Sequence, residues 1–334
     1  MAPNQQTQIQ VTHFSKLPQL DGVEVVKGDV PSPGEGEVLC QIFLRPVNPT
    51  DVHAVQGLRP IGPHHTPHIA GGEGVAKVVK LGKGVKNLKE GQRVVGVPWT
   101  GLYGTWQQYR VMPAESLMPM SDKLSDKVAA QFWVNPMTAK GLVDTSRPPE
   151  GDYMIQTAAG STLGRMITSL AKHLGINIIN VVRRSAQKEE LEKLGAAAVI
   201  ATDKEDLVER VKEITGGKGA YAAIDAVSGE MTKKVAMALR DGGTVYVYGA
   251  LSGDPIQVDT LDTLYKYKKV EGWLLGTWLG GLKNLKATIQ EVHGYLEDKV
   301  IVPESGDSYP LEQVHEAILE TEKTGRKGKV FLEG

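Results

Sequence analysis

Cysteine is almost absent from this chain: Cys40 is the only one in 334 residues. A lone thiol excludes an intramolecular disulfide framework and points to a reducing compartment, with the cytoplasm as the expected location. Cys40 lies in VLCQIFL, where Val38, Cys40, Ile42 and Leu44 share one face of a predicted strand. Nothing nearby would lower its pKa, so it reads as a buried structural thiol and not a nucleophile. Excess charge is missing too. With 38 Lys and Arg against 39 Asp and Glu, the net charge of -1 provides no general basic face. No nucleic-acid partner and no membrane association are expected. No apolar run approaches the roughly 18 to 20 residues that a membrane span requires. The opening MAPNQQTQIQ has no arginine and no apolar core, and reads as neither a secretory signal nor a transit peptide. Low-complexity segments and internal repeats are also absent.

What remains is a globular composition, 41% hydrophobic and 23% charged, on a chain long enough for two lobes. The first third holds short β-type runs, EVLCQIFL, GEGVAKVVKLG and QRVVGVPW, separated by turn chemistry such as PSPGEGE. This pattern predicts a mostly β lobe built around a small barrel. Near residue 125 the pattern changes to alternating strands and helices. YMIQTAA (153–159) reads as a strand. A helix then starts near Leu163, with Ile167, Leu170, Ala171 and Leu174 at helical spacing and Gly175 as its stop. NIINVV, AAVIA, AYAAIDAV and GTVYVYG follow as strands, alternating with the helices KEELEKLG, DLVERVKEI and TKKVAMAL. Such alternation implies an α/β fold with a doubly wound parallel sheet. The predicted division is 1–125 with 266–334 for the β lobe, and 126–265 for the α/β lobe.

QTAAGSTLGR follows a strand and opens a helix, the place where a dinucleotide pyrophosphate sits. On G-x-G-x-x-G spacing the three key positions are Ala159, Ser161 and Gly164, of which only the last is glycine. Small residues still let backbone amides approach phosphate, so Ala159, Gly160, Ser161, Thr162, Leu163 and Gly164 are assigned to the cofactor. The next strand ends in VVRRS. An NAD enzyme usually carries an acidic side chain there, whereas Arg183 and Arg184 can grip a 2′-phosphate, with Ser185 and Lys188 assisting. The predicted cofactor is NADPH.

The segments VNPTD (47–51), AGGEGVAKVVKLGKGVKNLKEGQRV (70–94), GTWQQY (104–109) and VNPMTA (134–139) resemble the medium-chain dehydrogenases/reductases. The quinone oxidoreductase and 2-enoyl thioester reductase branches come closest. NIINVVRR and GWLLGTW (272–278) lean toward the second, and the tail TGRKGKV (324–330) suits both. The resemblance implies a Rossmann-type domain plus a GroES-like substrate domain. It places Asn48 near the nicotinamide, orienting substrate or ribose hydroxyls, and puts Val134, Asn135 and Thr138 along the nicotinamide. Tyr248 and Gly249 would border the cofactor's middle, and Trp278 would flank the nicotinamide or serve as core. It also implies a homodimer whose cofactor lobes pair near GTVYVYG and the following segment, where Tyr246 and Val247 could equally be core.

Zinc-dependent members carry a cysteine where this chain has Asn48 and a histidine where it has Gly72, which would leave Glu73 without partners. One cysteine also rules out their four-cysteine structural zinc lobe. His64, His65 and His68 lack acidic or thiol neighbours in sequence and read as surface or cleft histidines. No metal is expected. Without a Lewis acid, hydride transfer suits acceptors that are already electron-poor, namely quinones and α,β-unsaturated carbonyls. Two alternatives stand beside a quinone or small-enone reductase. One is a trans-2-enoyl-CoA/ACP reductase; the other is an NADPH-binding sensor or moonlighting nucleic-acid-binding protein with little turnover.

In both branches a tyrosine commonly follows the glycine of the segment matching VHAVQG, two positions on, and donates to the enoyl thioester. Here Gly57-Leu58-Arg59 puts arginine at that position. Arg59 can stabilise an oxyanion but is a poor proton donor, which favours quinones and small enones. Arg59→Tyr should therefore raise kcat/KM for an enoyl thioester relative to a quinone. If the unmodified protein already prefers the thioester by about tenfold in kcat/KM, that ordering is wrong and another group, such as Tyr103, supplies the proton.

Overall fold

The computed structural model describes residues 3–58, 65–96, 104–323, 325–326 and 328–334. The chain divides into two compact units, Met1–Val134 with Pro303–Gly334, and Asn135–Val302.

The first unit opens with strands β1 (Gln5–Val11), β2 (Val23–Asp29) and β3 (Glu37–Pro46), then the short helix α1 (Pro49–Val55). Strands β4 (His68–Ile69), β5 (Val75–Leu81), β6 (Arg93–Gly96), β7 (Tyr109–Pro113) and β8 (Leu117–Pro119) follow, and helix α2 (Asp126–Ala130) ends this stretch. The second unit runs α3 (Asn135–Ser146), β9 (Tyr153–Gln156), α4 (Thr162–His173), β10 (Asn177–Val182), α5 (Lys188–Leu194) and β11 (Ala198–Ala201). It continues through α6 (Leu207–Ile214), β12 (Ala220–Asp225), α7 (Glu230–Met237) and β13 (Leu239–Val247). It closes with α8 (Thr260–Tyr265), β14 (Lys269–Gly272), α9 (Leu275–Gly280) and α10 (Leu285–Glu297). The chain then returns to the first unit with β15 (Ser305–Pro310), α11 (Val314–Glu322) and β16 (Lys329–Glu333).

Strand β3 is the spine of the first unit, pairing antiparallel with β5, β7 and β16. Its Val38, Cys40 and Ile42 pack with Val78, Val94, Met112 and Leu117, as the alternation predicts. Leu39 is buried as well, because the ladder to β5 shifts register between Leu39 and Cys40 and breaks strict alternation. Burial without charged partners pushes the Cys40 thiol up to about 12, which keeps it inert. Arg45 is wholly buried, and its guanidinium donates to the carbonyls of Ile42, Thr105, Gln107 and Gly334. These acceptors offset the cost of taking a cation out of water.

In the second unit six strands lie in the order β11-β10-β9-β12-β13-β14. Every pairing is parallel, and the order is that of the doubly wound nucleotide fold. Apolar residues at helical spacing make this arrangement: Ile167, Leu170 and Ala171 bury one side of α4, and Gly175 at φ 68 ends it. The predicted boundaries need two corrections. Residues 266–302 belong to the second unit, because β14 extends its sheet beside β13. Residues 126–134 belong to the first, where Lys127 donates to the Gly306 carbonyl at 2.8 Å. The strand predicted over 153–159 stops at Gln156, since the chain turns at Thr157 and Ala158 takes a left-handed φ of 50.

A buried polar bolt joins distant segments of the first unit. Asn48 Nδ2 donates to Glu73 Oε1 at 2.8 Å, and Lys329 Nζ donates to Asn48 Oδ1 at 2.7 Å. The other Glu73 oxygen accepts from the backbone N–H groups of Trp133 and Val134 at 3.1 and 3.0 Å. Asp51 accepts from the Asn48 N–H at 2.9 Å, anchoring the start of α1. Glu73 and Lys329 are 2% and 3% exposed, so each charge depends on the other. Burial raises the pKa of the Glu73 carboxyl and lowers that of the Lys329 ammonium, while the attraction between the two charges opposes both shifts. Removing one partner should strand the other at a cost of about 3 kcal/mol. Glu73→Gln and Lys329→Met should each lower unfolding stability, and the double variant should recover at least half of the summed loss. Strictly additive losses in urea unfolding would show that the two charges are not coupled.

Candidate active site

The turn after β9 and the start of α4 carry the sequence-predicted cofactor residues Ala159 to Gly164. Ser161 caps α4, its hydroxyl accepting from the Gly164 N–H at 3.0 Å. The N–H groups of Thr162 and Leu163, in the first helical turn, have no intrahelical acceptor and stand ready for an anion. Gly164 has no freedom to change, because a Cβ there would lie 2.5 Å from the Ala159 carbonyl oxygen. Ala159 is fully buried beneath it. Gly160 has looser surroundings, since a Cβ would meet only the flexible amide of Gln187, at 2.2 Å. That contact places the turn following β10 directly against the loop following β9.

Three residues that sequence reasoning missed hold this loop in place. Gln156, Thr168 and Asn180 are wholly buried on β9, α4 and β10. Gln156 Nε2 lies 2.9 Å from the Gly164 carbonyl oxygen, 3.0 Å from Thr168 Oγ1 and 2.8 Å from Asn180 Oδ1. Asn180 Nδ2 donates to Thr168 Oγ1 at 2.9 Å. The available signal was an amide inside each of the apolar runs YMIQ and NIINVV. A buried polar side chain must have a partner, and two such strands are natural neighbours.

On the other side of β9, Asp225 ends β12 with its carboxylate fully buried. It accepts from the hydroxyls of Thr157 and Thr232 at 2.7 and 2.6 Å and from the N–H groups of Val227 and Ser228 at 2.9 and 3.2 Å. These donors satisfy the charge and tie the loop after β9 to the loop after β12. The sheet order reverses at this pair of strands, where α/β proteins bind ligands. Tyr248 and Gly249 lie alongside. The Tyr248 N–H donates to the Asp225 carbonyl at 2.9 Å, and a Cβ on Gly249 would sit 2.8 Å from the Ala226 carbonyl oxygen. Shielding from water, with the Asp225 charge nearby, holds the Tyr248 hydroxyl well above the ordinary phenol range.

Beyond β10, Arg183 and Arg184 are exposed, and neither guanidinium has a carboxylate partner among the described residues. Their two predicted assistants are engaged elsewhere. Ser185 bonds Asp203 through its N–H at 3.2 Å and its hydroxyl at 3.3 Å, while Lys188 pairs with Glu205 at 2.9 Å. Asn135 and Thr138 sit on the first turn of α3 and are nearly buried. Trp278 lies half-buried on α9 against the same helix. A Cβ on Gly141 would be 2.8 Å from its ring and 2.6 Å from that of Trp273. The structure thus brings Ala159–Gly164, Arg183–Lys188, Tyr248 and Gly249 to one end of the parallel sheet.

In the first unit, Asn48 is 1% exposed, with one amide hydrogen committed to Glu73 and one oxygen lone pair to Lys329. Glu73, expected to lack partners, has several. The residues do not fit a catalytic zinc. Gly72 provides no ligand, and an ammonium group lies 2.7 Å from Asn48 Oδ1, where a second cation would be repelled. Among the described residues no three His, Cys, Asp or Glu side chains gather as a metal site. His68 is bound to the His65 carbonyl at 2.8 Å and its pKa is lowered, chiefly by burial. Arg59, His64 and Tyr103 lie outside the described residues. No helix among the described residues is long and apolar enough to cross a membrane.

Comparison with known proteins agrees with this geometry. Residues 34–122 match the alcohol dehydrogenase GroES-like domain, and residues 162–293 match the family described as zinc-binding dehydrogenase. A Caenorhabditis elegans protein named mitochondrial enoyl-[acyl-carrier-protein] reductase is 34% identical over 251 residues, covering 74% of this chain and 71% of that protein. Among solved structures, a putative NADPH:quinone reductase from Bacillus thuringiensis superposes with a TM-score of 0.88 at 30% identity, covering 99% of each chain. Escherichia coli quinone oxidoreductase complexed with NADPH superposes with a TM-score of 0.86 at 25% identity, over 98% of this chain and all of that one. By fold, by sequence and by the cofactor-type turn after β9, this chain belongs to the medium-chain dehydrogenase/reductase family.

Proposed function

We propose that this protein reduces quinones or small activated enones at the expense of NADPH, without a metal. The observation that carries the reading is the pair of exposed guanidiniums, Arg183 and Arg184, at the end of β10 beside the loop that opens α4. Free cations at that position suit a 2′-phosphate, and the first turn of α4 suits the pyrophosphate. The E. coli relative complexed with NADPH supports the choice of cofactor.

Bound NADPH supplies a hydride. The chain's part would be to hold and orient: Ala159–Gly164 would cradle the phosphates, and Tyr248 and Gly249 would border the middle of the cofactor. Asn135, Thr138 and Trp278 belong to the α3 and α9 surface that would face the nicotinamide. Among the described residues no group is placed to polarise an ordinary ketone as a metal would, so the acceptor itself is expected to delocalise the incoming negative charge. A quinone does so and takes its proton from water. The enoyl thioester reading stays second, supported by the C. elegans relative.

We also infer a homodimer built on the open edge of the second unit. The structure corrects the expected contact strand: GTVYVYG (β13) is covered by β14, which is itself the edge. Beside β14, Leu261, Leu264, Tyr265 and Tyr267 are 63%, 60%, 75% and 75% exposed, an apolar surface that a second copy would bury. Light scattering at micromolar concentration should show a species of twice the 36.1 kDa chain, and Leu261→Asp with Leu264→Asp should halve it. A wild-type monomer would refute this assembly.

The functional reading is tested by following NADPH oxidation against quinones, small enones and enoyl-CoA thioesters. Charge-assisted hydrogen bonds are worth roughly 1.5–3 kcal/mol each. Arg183→Ala with Arg184→Ala should therefore weaken NADPH binding by about 10- to 100-fold and leave NADH nearly unchanged. Equal weakening of both cofactors would overturn the NADPH assignment, and no turnover of any acceptor would overturn the enzyme reading.

A further inference from the structure

The turn that follows β10 is held by a carboxylate that the proposed cofactor does not need. Asp203, just past β11, reaches across to Ser185 and accepts from its N–H at 3.2 Å and from its hydroxyl at 3.3 Å with the same oxygen, Oδ2. Ser185 directly follows Arg183 and Arg184 and opens the short turn Ser185–Gln187, whose last residue lies over Gly160. Both donors that Ser185 could offer an anion at the mouth of this subsite are thus occupied by an internal anion. The neighbouring cation cannot compensate, because Lys188 is paired with Glu205, which also binds Arg210 and the Ala201 N–H.

We infer that Asp203 is a specificity-determining residue: its carboxylate occupies the Ser185 donors a 2′-phosphate would use and must be displaced by that group. The inference rests on the NADPH reading above. A 2′-phosphate arriving at Arg183 and Arg184 meets two favourable guanidiniums and one like charge. Its best additional hydrogen bonds become available only when Asp203 swings away. Both Asp203 bonds lie at the long end of the hydrogen-bonding range, and Asp203 is exposed, so displacement is possible at modest cost. A cofactor with a free 2′-hydroxyl has no such competitor. Asp203 therefore narrows the gap between phosphorylated and unphosphorylated cofactors that the two arginines open.

The test uses the full chain and two small probes, adenosine 2′,5′-bisphosphate and adenosine 5′-diphosphate, with binding measured by calorimetry. Asp203→Asn preserves shape and removes the charge. It should tighten the 2′,5′-bisphosphate by roughly two- to fivefold at low ionic strength, an effect that shrinks as salt is added. Binding of the 5′-diphosphate should change by less than the experimental error. Adding Ser185→Ala to Asp203→Asn should reverse part of the gain. If Asp203→Asn leaves 2′,5′-bisphosphate affinity unchanged or weaker while Arg183→Ala with Arg184→Ala still abolishes the preference, the role of Asp203 is wrong and the NADPH reading stands. If the wild-type protein shows no preference for the 2′,5′-bisphosphate at all, both fall together. A gain that ignores salt would mean relaxed turn geometry and not removed charge, and would overturn the proposal as well.

Discussion

The approach of α4 to the turn after β9 sets the geometry of the second unit. Gly164 sits where no Cβ fits, so the helix can begin almost in contact with Ala159. Its first N–H groups then point to the reversal in strand order between β10 and β12. A close approach of backbones needs something to fix its register, and the Gln156 amide does this from inside the sheet. It touches the carbonyl of Gly164 itself and, through Asn180, the next strand. Since all three side chains of this cluster are buried, moving α4 would leave amides unsatisfied at a cost of roughly 1–3 kcal/mol each. Asp225 performs the corresponding task on the other flank by holding Thr157. The phosphate-facing turn is thus clamped from both neighbours of β9, and its rigidity belongs to the protein before any ligand arrives.

The first unit solves a different problem. In the resembling zinc enzymes a metal cation organises the position held here by Asn48. In this chain Lys329 supplies a cation, and Glu73 balances it. An ammonium whose hydrogen bonds go to an amide and whose charge faces a carboxylate cannot act as a Lewis acid. It can fix Asn48, and with it the start of α1. The result is an arrangement that fixes Asn48 without polarising it as a metal would, and the proposed preference for acceptors that carry their own electron sink follows from it.

Much of this architecture could be read from residue order. NIINVV coincides with β10, and the spacing of Ile167, Leu170 and Ala171 placed α4 within a residue of its observed start. The position of the arginines after β10 could be read from residue order, because it follows from the strand that precedes them and not from contacts. Contacts between distant segments were not legible. Glu73 looked isolated because its partners, Asn48 and Lys329, come from other parts of the chain, and nothing in the local pattern announces them. Residues 266–302 were assigned to the wrong unit for a related reason. β14 is a four-residue edge strand whose sides are mostly exposed, so it lacks the apolar signature that identified β9 to β13. Ser185 and Lys188 were read as helpers because serine and lysine can bind phosphate. Only the fold reveals that Asp203 and Glu205 reach them first.

The cofactor region therefore divides into a stiff part and a soft part. Gly164, Gln156, Asn180 and Asp225 are buried and costly to move, and on the proposed reading they shape the subsite for the pyrophosphate. Arg183, Arg184 and Ser185 on the turn after β10, and Asp203 just past β11, lie in water, where single charges interact weakly and are screened by salt. The proposed discrimination between cofactors rests on the soft part, so it would be tuned by substitution at the surface without disturbing the clamp. The same reasoning limits how sharp it can be. An exposed pair of arginines confers preference in proportion to the charge the turn keeps, and each carboxylate that folds back onto it reduces that preference. On the proposed reading, cofactor selectivity is a balance struck at one exposed turn, while the clamp that would receive the dinucleotide is fixed in the core.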